Sequence, residues 1–146
     1  MAGRPAIYSE EIATLICAEI SSTSKSLRTI CAQDGMPCVA TVLTWLRTNE
    51  SFLAQYTRAK EEQADFLIEE MIDIADDGSN DLMTVTKGNE SYEVENKEVT
   101  NRSKLRVETR KWIASKLKPK KYGDKIQAEI SGKDGGAIVV TGMQVI

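Results

Sequence analysis

Histidine is absent from this chain, and with it go imidazole catalysis and the commonest ligand of transition-metal sites. The three cysteines, Cys17, Cys31 and Cys38, show no CxxC spacing, which argues against structural zinc and fits small buried residues in a reducing cytoplasm. No GxxxxGK(S/T) phosphate loop occurs; Gly132, Gly135 and Gly136 in SGKDGGA have the wrong spacing and read as a turn between strands. Neither a metal nor a cofactor is expected. Aromatic residues make up only 5% of the chain, yet 41% apolar and 28% charged residues describe an ordinary globular protein able to bury a core. No apolar run approaches the roughly eighteen residues that a membrane span needs. The start, MAGRPAIYSEE, has no apolar signal core either. A soluble protein with no membrane partner, retained where it is made, is the expectation. Without histidine, the only catalytic candidates are carboxylates scattered along one helix, which as a solvated or ion-paired face need no catalytic explanation. The chain reads as a non-enzyme.

What the chain does have is segregated charge. Between Arg102 and Lys125 stand ten of the nineteen lysines and arginines against only Glu108 and Asp124, a net +8 in a chain whose total is −3. Leu105, Trp112, Ile113 and Leu117 fall on one side of a helical period there, Arg106 and Arg110 on one edge, and Lys104, Lys111 and Lys118 on the other. Pro119 stops this helix and Gly123 reinforces the stop. Its acidic counterpart is a long helix predicted from Ser51 to Asp77. Ala64, Leu67, Met71 and Ile74 form its stripe, Ile68, Ile72 and Ala75 widen it, and Glu61, Glu62, Asp65, Glu69, Glu70, Asp73, Asp76 and Asp77 cover the rest. The two helices are expected to pack antiparallel, with spare apolar width for a second neighbour. The basic stretch is either a DNA-contacting belt or the neutraliser of the acidic helix within and between subunits. The complement in the same chain favours the latter for Arg106 and Arg110, whereas Lys118, Lys120 and Lys121 lie past the helix and are freer to meet DNA or a protein partner.

Ahead of the long helix, Ser9 caps a first helix to about Ser21. Thr23 or Ser24 caps a second with Leu27, Ile30 and Cys31 inward. Asp34-Gly35 makes a turn, and Met36-Pro37 opens a third helix whose buried side is Val42, Trp45 and Leu46. Three short helices with a Gly turn between the last two describe a helix-turn-helix, presenting Ala40, Thr41, Thr44 and Arg47 outward. A plain three-helix bundle without a ligand fits the same pattern. Between the long helices, two runs of period two around Gly88-Asn89 read as a β-hairpin. After Lys125, alternation at Ile126, Ala128 and Ile130 and the run Ala137 to Val140 read as strands that pair with copies of themselves.

Taken together, GRP near the start, GMPCVATVLTWL, the acidic helix, KLRVETRKWIASKLKPKKYGDK and GKDGG resemble the small terminase subunit of tailed double-stranded DNA bacteriophages, over nearly the whole chain from Gly3 to Val140. The resemblance implies a mainly α fold: a helix-turn-helix DNA-binding domain (1–49), a central antiparallel helical oligomerisation domain (50–125) with a hairpin insertion (78–100), and C-terminal β-strands (126–146) forming an intersubunit barrel. It implies double-stranded DNA and the large terminase subunit as partners, a homo-oligomeric ring of about eight to ten subunits, and the host bacterial cytoplasm as location. The function it implies is recognition of viral concatemeric DNA and regulation of the large ATPase and nuclease subunit.

Read from this chain's own charges and helix faces, the DNA-contacting set is Arg4, Lys25, Arg28, Thr41, Thr44 and Arg47, and the oligomerisation set is Leu67, Met71, Ile74, Arg106, Arg110 and Trp112. Bidentate base readout favours Arg, Asn or Gln, and the third helix carries few of them, so backbone contact multiplied over a ring is expected. A helix-turn-helix transcription regulator of phage or prophage origin accounts equally for residues 9 to 47, but gives no role to the tail strands.

Overall fold

The computed structural model describes residues 7–125, 130–138 and 142. Four helices come first: α1 (Glu10–Ser22), α2 (Leu27–Cys31), α3 (Val39–Thr48) and the long α4 (Glu50–Asp76). A hairpin of β1 (Leu82–Lys87) and β2 (Glu90–Glu95) leads into α5 (Lys97–Leu117) and the single turn α6 (Pro119–Tyr122). The mainly α expectation holds, as do the antiparallel pair and the hairpin between its helices.

Local chemistry sets the boundaries. Ser9 caps α1, accepting from the Ile12 N–H at 3.4 Å, with Glu10 and Glu11 in the first turn where the helix dipole favours them. Helix α2 starts later than Thr23 or Ser24, at a cap formed by Ser26, which accepts from the Thr29 N–H at 3.2 Å. Thr23 is already engaged as the C-cap of α1: its hydroxyl donates to the Glu19 carbonyl at 2.6 Å and accepts from the Lys25 N–H at 3.2 Å. Helix α3 likewise starts at Val39 and not at Met36-Pro37. Gly35, at φ +80°, reverses the chain, and Pro37 disfavours a helical conformation at the residue before it. The helix therefore opens at Cys38, whose carbonyl accepts from Thr41 and Val42.

These three helices close over the first half of α4. Ile16, Ile20, Ile30, Val42 and Phe52 are fully buried, each worth about 1.5–3 kcal/mol of apolar transfer. The scarce aromatics are concentrated here, with Tyr8 edge-on to Trp45 at 5.2 Å, Trp45 to Phe52 at 6.1 Å and Phe52 to Tyr56 at 6.0 Å. Past Ala59, α4 changes partner. Ala64, Leu67 and Ile74 are buried where α5 runs back along it, and the pairing of Glu70 with Arg110 and of Asp65 with Lys118 fixes the antiparallel sense.

The face of α5 that meets α4 is only partly the expected one: Ile113 and Leu117 of the expected stripe are half-buried, but Leu105 and Trp112 are not. Val99, Ser103, Val107, Arg110, Ala114 and Leu117 line the contact as buried or half-buried positions, whereas Leu105 and Trp112 are 57% and 63% exposed. Small residues such as Ser103 and Ala114 let the helix backbones approach closely, and a seam through Leu105 and Trp112 would hold them apart. Helix α5 ends before Pro119 as expected. Pro119 then occupies the first turn of α6, where its missing N–H costs nothing.

The hairpin pairs Met83 with Val94 and Val85 with Tyr92 on one face. Its two-residue turn has Gly88 at φ +67°, the residue and position that a type II′ connection favours. The terminal strands lie mostly outside the described residues, as residues 126–129, 139–141 and 143–146 are not described. Among the described residues 130–138 no strand forms, and Lys133–Gly135 is a short 3-10 turn.

Candidate nucleic-acid interface

Helix α3 presents Ala40, Leu43, Thr44, Arg47 and Thr48 as exposed residues, while Val42 and Trp45 anchor it from beneath. Arg47 Nη2 donates to Thr44 Oγ1 at 3.3 Å, and Thr44 Oγ1 donates to the Ala40 carbonyl at 3.0 Å. The two expected contact residues are therefore joined on one exposed ridge. Thr41 is half-buried, with its Oγ1 3.2 Å from Cys38 Sγ. That hydrogen bond is the main cause lowering the Cys38 thiol below its ordinary value.

Arg28, on α2, is exposed and, like Arg47, takes part in no ion pair among the described residues. Lys25 differs: its Nζ sits 2.9 Å from Glu19 Oε2, so part of its charge is already compensated within the bundle. Arg4 falls outside the described residues.

Sequence reasoning passed over the residue that sets where this surface stands. Gln63 of α4 is 4% exposed. Its amide nitrogen donates to the carbonyls of Thr23 at 2.9 Å and Lys25 at 3.1 Å, and its oxygen accepts from Lys60 Nζ at 3.1 Å. The α1–α2 linker is thus clamped onto the long helix directly before Arg28. The signal was available, because Ala59, Gln63 and Leu67 follow one another at i, i+4 and a polar residue in such a stripe needs partners.

The expected oligomerisation set divides. Leu67 and Ile74 are buried and Met71 half-buried on α4, in the pairing with α5 inside one chain. Arg110 Nε donates to Glu70 Oε2 at 2.8 Å, the main cause holding the Glu70 carboxyl below its usual range, and Ser24 Oγ donates to Glu70 Oε1 at 3.3 Å. Arg106 makes no ion pair among the described residues, but it lies beside Glu70 on a groove of about 530 Å³ whose other charged walls include Asp73, Asp77 and Arg102. Trp112 stands outside the pair, with Lys116 Nζ 5.6 Å from its ring centroid.

Beyond α5 the expectation needs correcting. Lys118 and Lys121 are not free basic residues: their Nζ atoms reach Asp65 at 2.8 and 2.9 Å, and Tyr122 Oη donates to the same carboxylate at 2.6 Å. The α6 turn folds all three back onto α4. Lys118, Tyr122 and Lys121, in that order of effect, push the Asp65 carboxyl far below its ordinary range. Lys120 remains exposed and unpaired among the described residues. No group of His, Cys, Asp and Glu among the described residues is arranged to hold a metal ion, and no described helix is long and apolar enough to cross a membrane.

A bundle that offers an arginine-bearing helix from one end of a long charge-paired hairpin has known relatives. The family described as bacteriophage Sf6, terminase small subunit-like, matches residues 8–129. Crystal structures of the terminase small subunit gp1 of the bacterial virus Sf6, in three variants each carrying one substitution at a charged residue, match with 36% sequence identity and a TM-score of 0.67, covering 97% of this chain and 98% of that one. No curated protein matches the chain.

Proposed function

This chain belongs to the family of terminase small subunits like that of bacteriophage Sf6, and from that premise we propose that it recognises viral concatemeric DNA and regulates the large terminase subunit during genome packaging. A phage DNA-packaging role follows from the family, in which the small subunit is non-catalytic and the ATPase and nuclease reside in the large one. The observation that carries the DNA reading is the exposed Thr44–Arg47 ridge of α3, supported by a buried Val42–Trp45 underside. With few cations per subunit, each bundle grips DNA weakly through its phosphates, and assembly into a ring multiplies the contacts.

A transcription regulator needs only the first three helices. The family match instead runs through α4, the hairpin and α5, which favours packaging. The test is reconstitution with the large subunit: adding the chain to the motor in the presence of cognate phage DNA changes its ATPase rate, and adding it without DNA has a smaller effect. An ATPase rate indifferent to the chain under both conditions contradicts the regulatory half of the proposal.

A further inference from the structure

The hairpin between α4 and α5 stands clear of the helices: every residue of β1 and β2 is exposed or half-buried, so no helix covers either face. A two-stranded sheet has two edges, and the register says which backbone groups line them. Lys87 and Glu90 flank the two-residue turn, and hydrogen-bonded pairs recur at every second position from there. The Asn96 N–H, donating to the Asp81 carbonyl at 2.7 Å, keeps the same phase. Val85 with Tyr92 and Met83 with Val94 are therefore bonded inward, and Ser91, Glu93 and Glu95 turn their N–H and C=O groups away from β1. No described group meets those outward groups. The side chains of Ser91, Glu93 and Glu95 share one face of the sheet, and Tyr92 and Val94 lie on the other. Glu95 accepts from Thr100 Oγ1 at 3.0 Å with one oxygen, and Glu93 has no partner among the described residues. From Asp77 to Glu98, six carboxylates stand against Lys87 and Lys97.

We infer that the open edge of β2 takes up an extended segment of a partner protein in which basic and apolar residues alternate, added to the hairpin as a third strand. Strand addition supplies the backbone hydrogen bonds, and the two faces choose the side chains. A residue paired with Glu93 or Glu95 falls on the carboxylate face, where lysine or arginine is favoured directly opposite. Its neighbours along the strand fall beside Tyr92 and Val94, where apolar residues are favoured. Charge disfavours the other occupants. Duplex DNA and anionic lipid are repelled by this acidic segment. A second copy pairing β2 with β2 sets glutamate against glutamate, and a second copy's β1 leaves the carboxylates uncompensated. The β1 edge offers similar hydrogen bonds through Leu82, Thr84 and Thr86, but those residues carry no charge with which to select a partner. The inference is independent of the DNA reading, since it uses no residue of α2 or α3.

Fluorescence anisotropy with the full chain and a labelled peptide of alternating lysine and valine, as long as β2, tests this. In the pairing described, the lysine amides point at β2 and the valine amides point away. N-methylation of the lysines therefore lowers affinity by at least about tenfold, and N-methylation of the valines changes it by less than about threefold. A peptide with the same lysines and valines gathered into two blocks binds at least about tenfold more weakly than the alternating one. On the chain, Glu93→Lys lowers affinity about fivefold. Glu93→Pro removes an outward N–H while leaving the ladder to β1, and it abolishes binding, whereas Thr84→Pro on the other edge does not. Should proline loosen the hairpin, Glu93→Lys and the methylated peptides still decide. No binding by the alternating peptide, equal affinity for the blocked one, or indifference to lysine N-methylation overturns the inference, and so does a loss with Thr84→Pro but not with Glu93→Pro. If Glu93→Pro lowers the mass of the peptide-free protein in light scattering, a second copy holds the edge and the inference fails as well.

Discussion

Arg110 of α5 holds Glu70 of α4 through a 2.8 Å contact from Nε to Oε2, with the two side chains only 16% and 25% exposed. Removing the guanidinium leaves a largely buried carboxylate with Ser24 as its remaining side-chain partner. Arg110→Met is expected to cost about 1–3 kcal/mol and to lower the melting temperature by about 3–10 °C. Glu70→Gln costs less, because an amide oxygen still accepts from Arg110. Thermal denaturation of both variants checks the order, and equal losses would show that the contact rests on the charge and not on the retained hydrogen bond.

Gln63 gives a second test. Gln63→Leu preserves volume but leaves the Thr23 and Lys25 carbonyls without their buried donor, at a cost of about 1–3 kcal/mol. Amide hydrogen exchange across residues 24–29 should quicken more than across α5. Uniform acceleration in both places would mean that Gln63 supports the whole fold and does not clamp the linker in particular.

Acid should loosen the α4–α5–α6 contact. The folded-state carboxyls of Asp65 and Glu70 lie below their ordinary values of 3.8 and 4.5, through hydrogen bonds from Lys118, Tyr122 and Lys121 in one case and Arg110 in the other. A depressed folded value means that the unfolded chain takes up protons first. The stabilisation is therefore complete above the ordinary carboxylate range and is lost as pH falls through the folded values. Urea midpoints are expected to hold level above about pH 6 and to fall below about pH 4. Asp65→Asn should flatten that fall. An unchanged acid slope in the variant would assign the acid sensitivity to other carboxylates.

Charge segregation and period carried much of the architecture. The antiparallel pair, the hairpin with its Gly88 turn, the Ser9 cap and the Arg110–Glu70 complement were legible because each rests on local spacing or on composition within one helix. The α5 seam was legible only in part, at Ile113 and Leu117 and not at Leu105 and Trp112. Large apolar residues dominate a periodicity reading, yet close helix packing selects Ser103 and Ala114 and leaves Trp112 outside. The roles of Lys118 and Lys121 were hidden for a related reason: α6 resumes helix after Pro119 and turns both lysines onto Asp65, a contact 53 residues or more away in sequence. For the candidate interface, spacing identified Thr44 and Arg47 as outward residues. It could not show that Lys25 is occupied by Glu19, six residues earlier across a cap.

The central claim is that DNA is met by the first three helices and not by the basic segment. Fluorescence anisotropy with duplex phage DNA at low salt compares Arg28→Glu with Arg47→Glu against Lys120→Glu with Lys125→Glu, each at unchanged oligomeric mass. The account predicts at least about a tenfold loss of affinity and a shallower salt slope for the first pair, and a change within about threefold for the second. The reverse order would place the DNA surface on the segment after α5 and contradict the account.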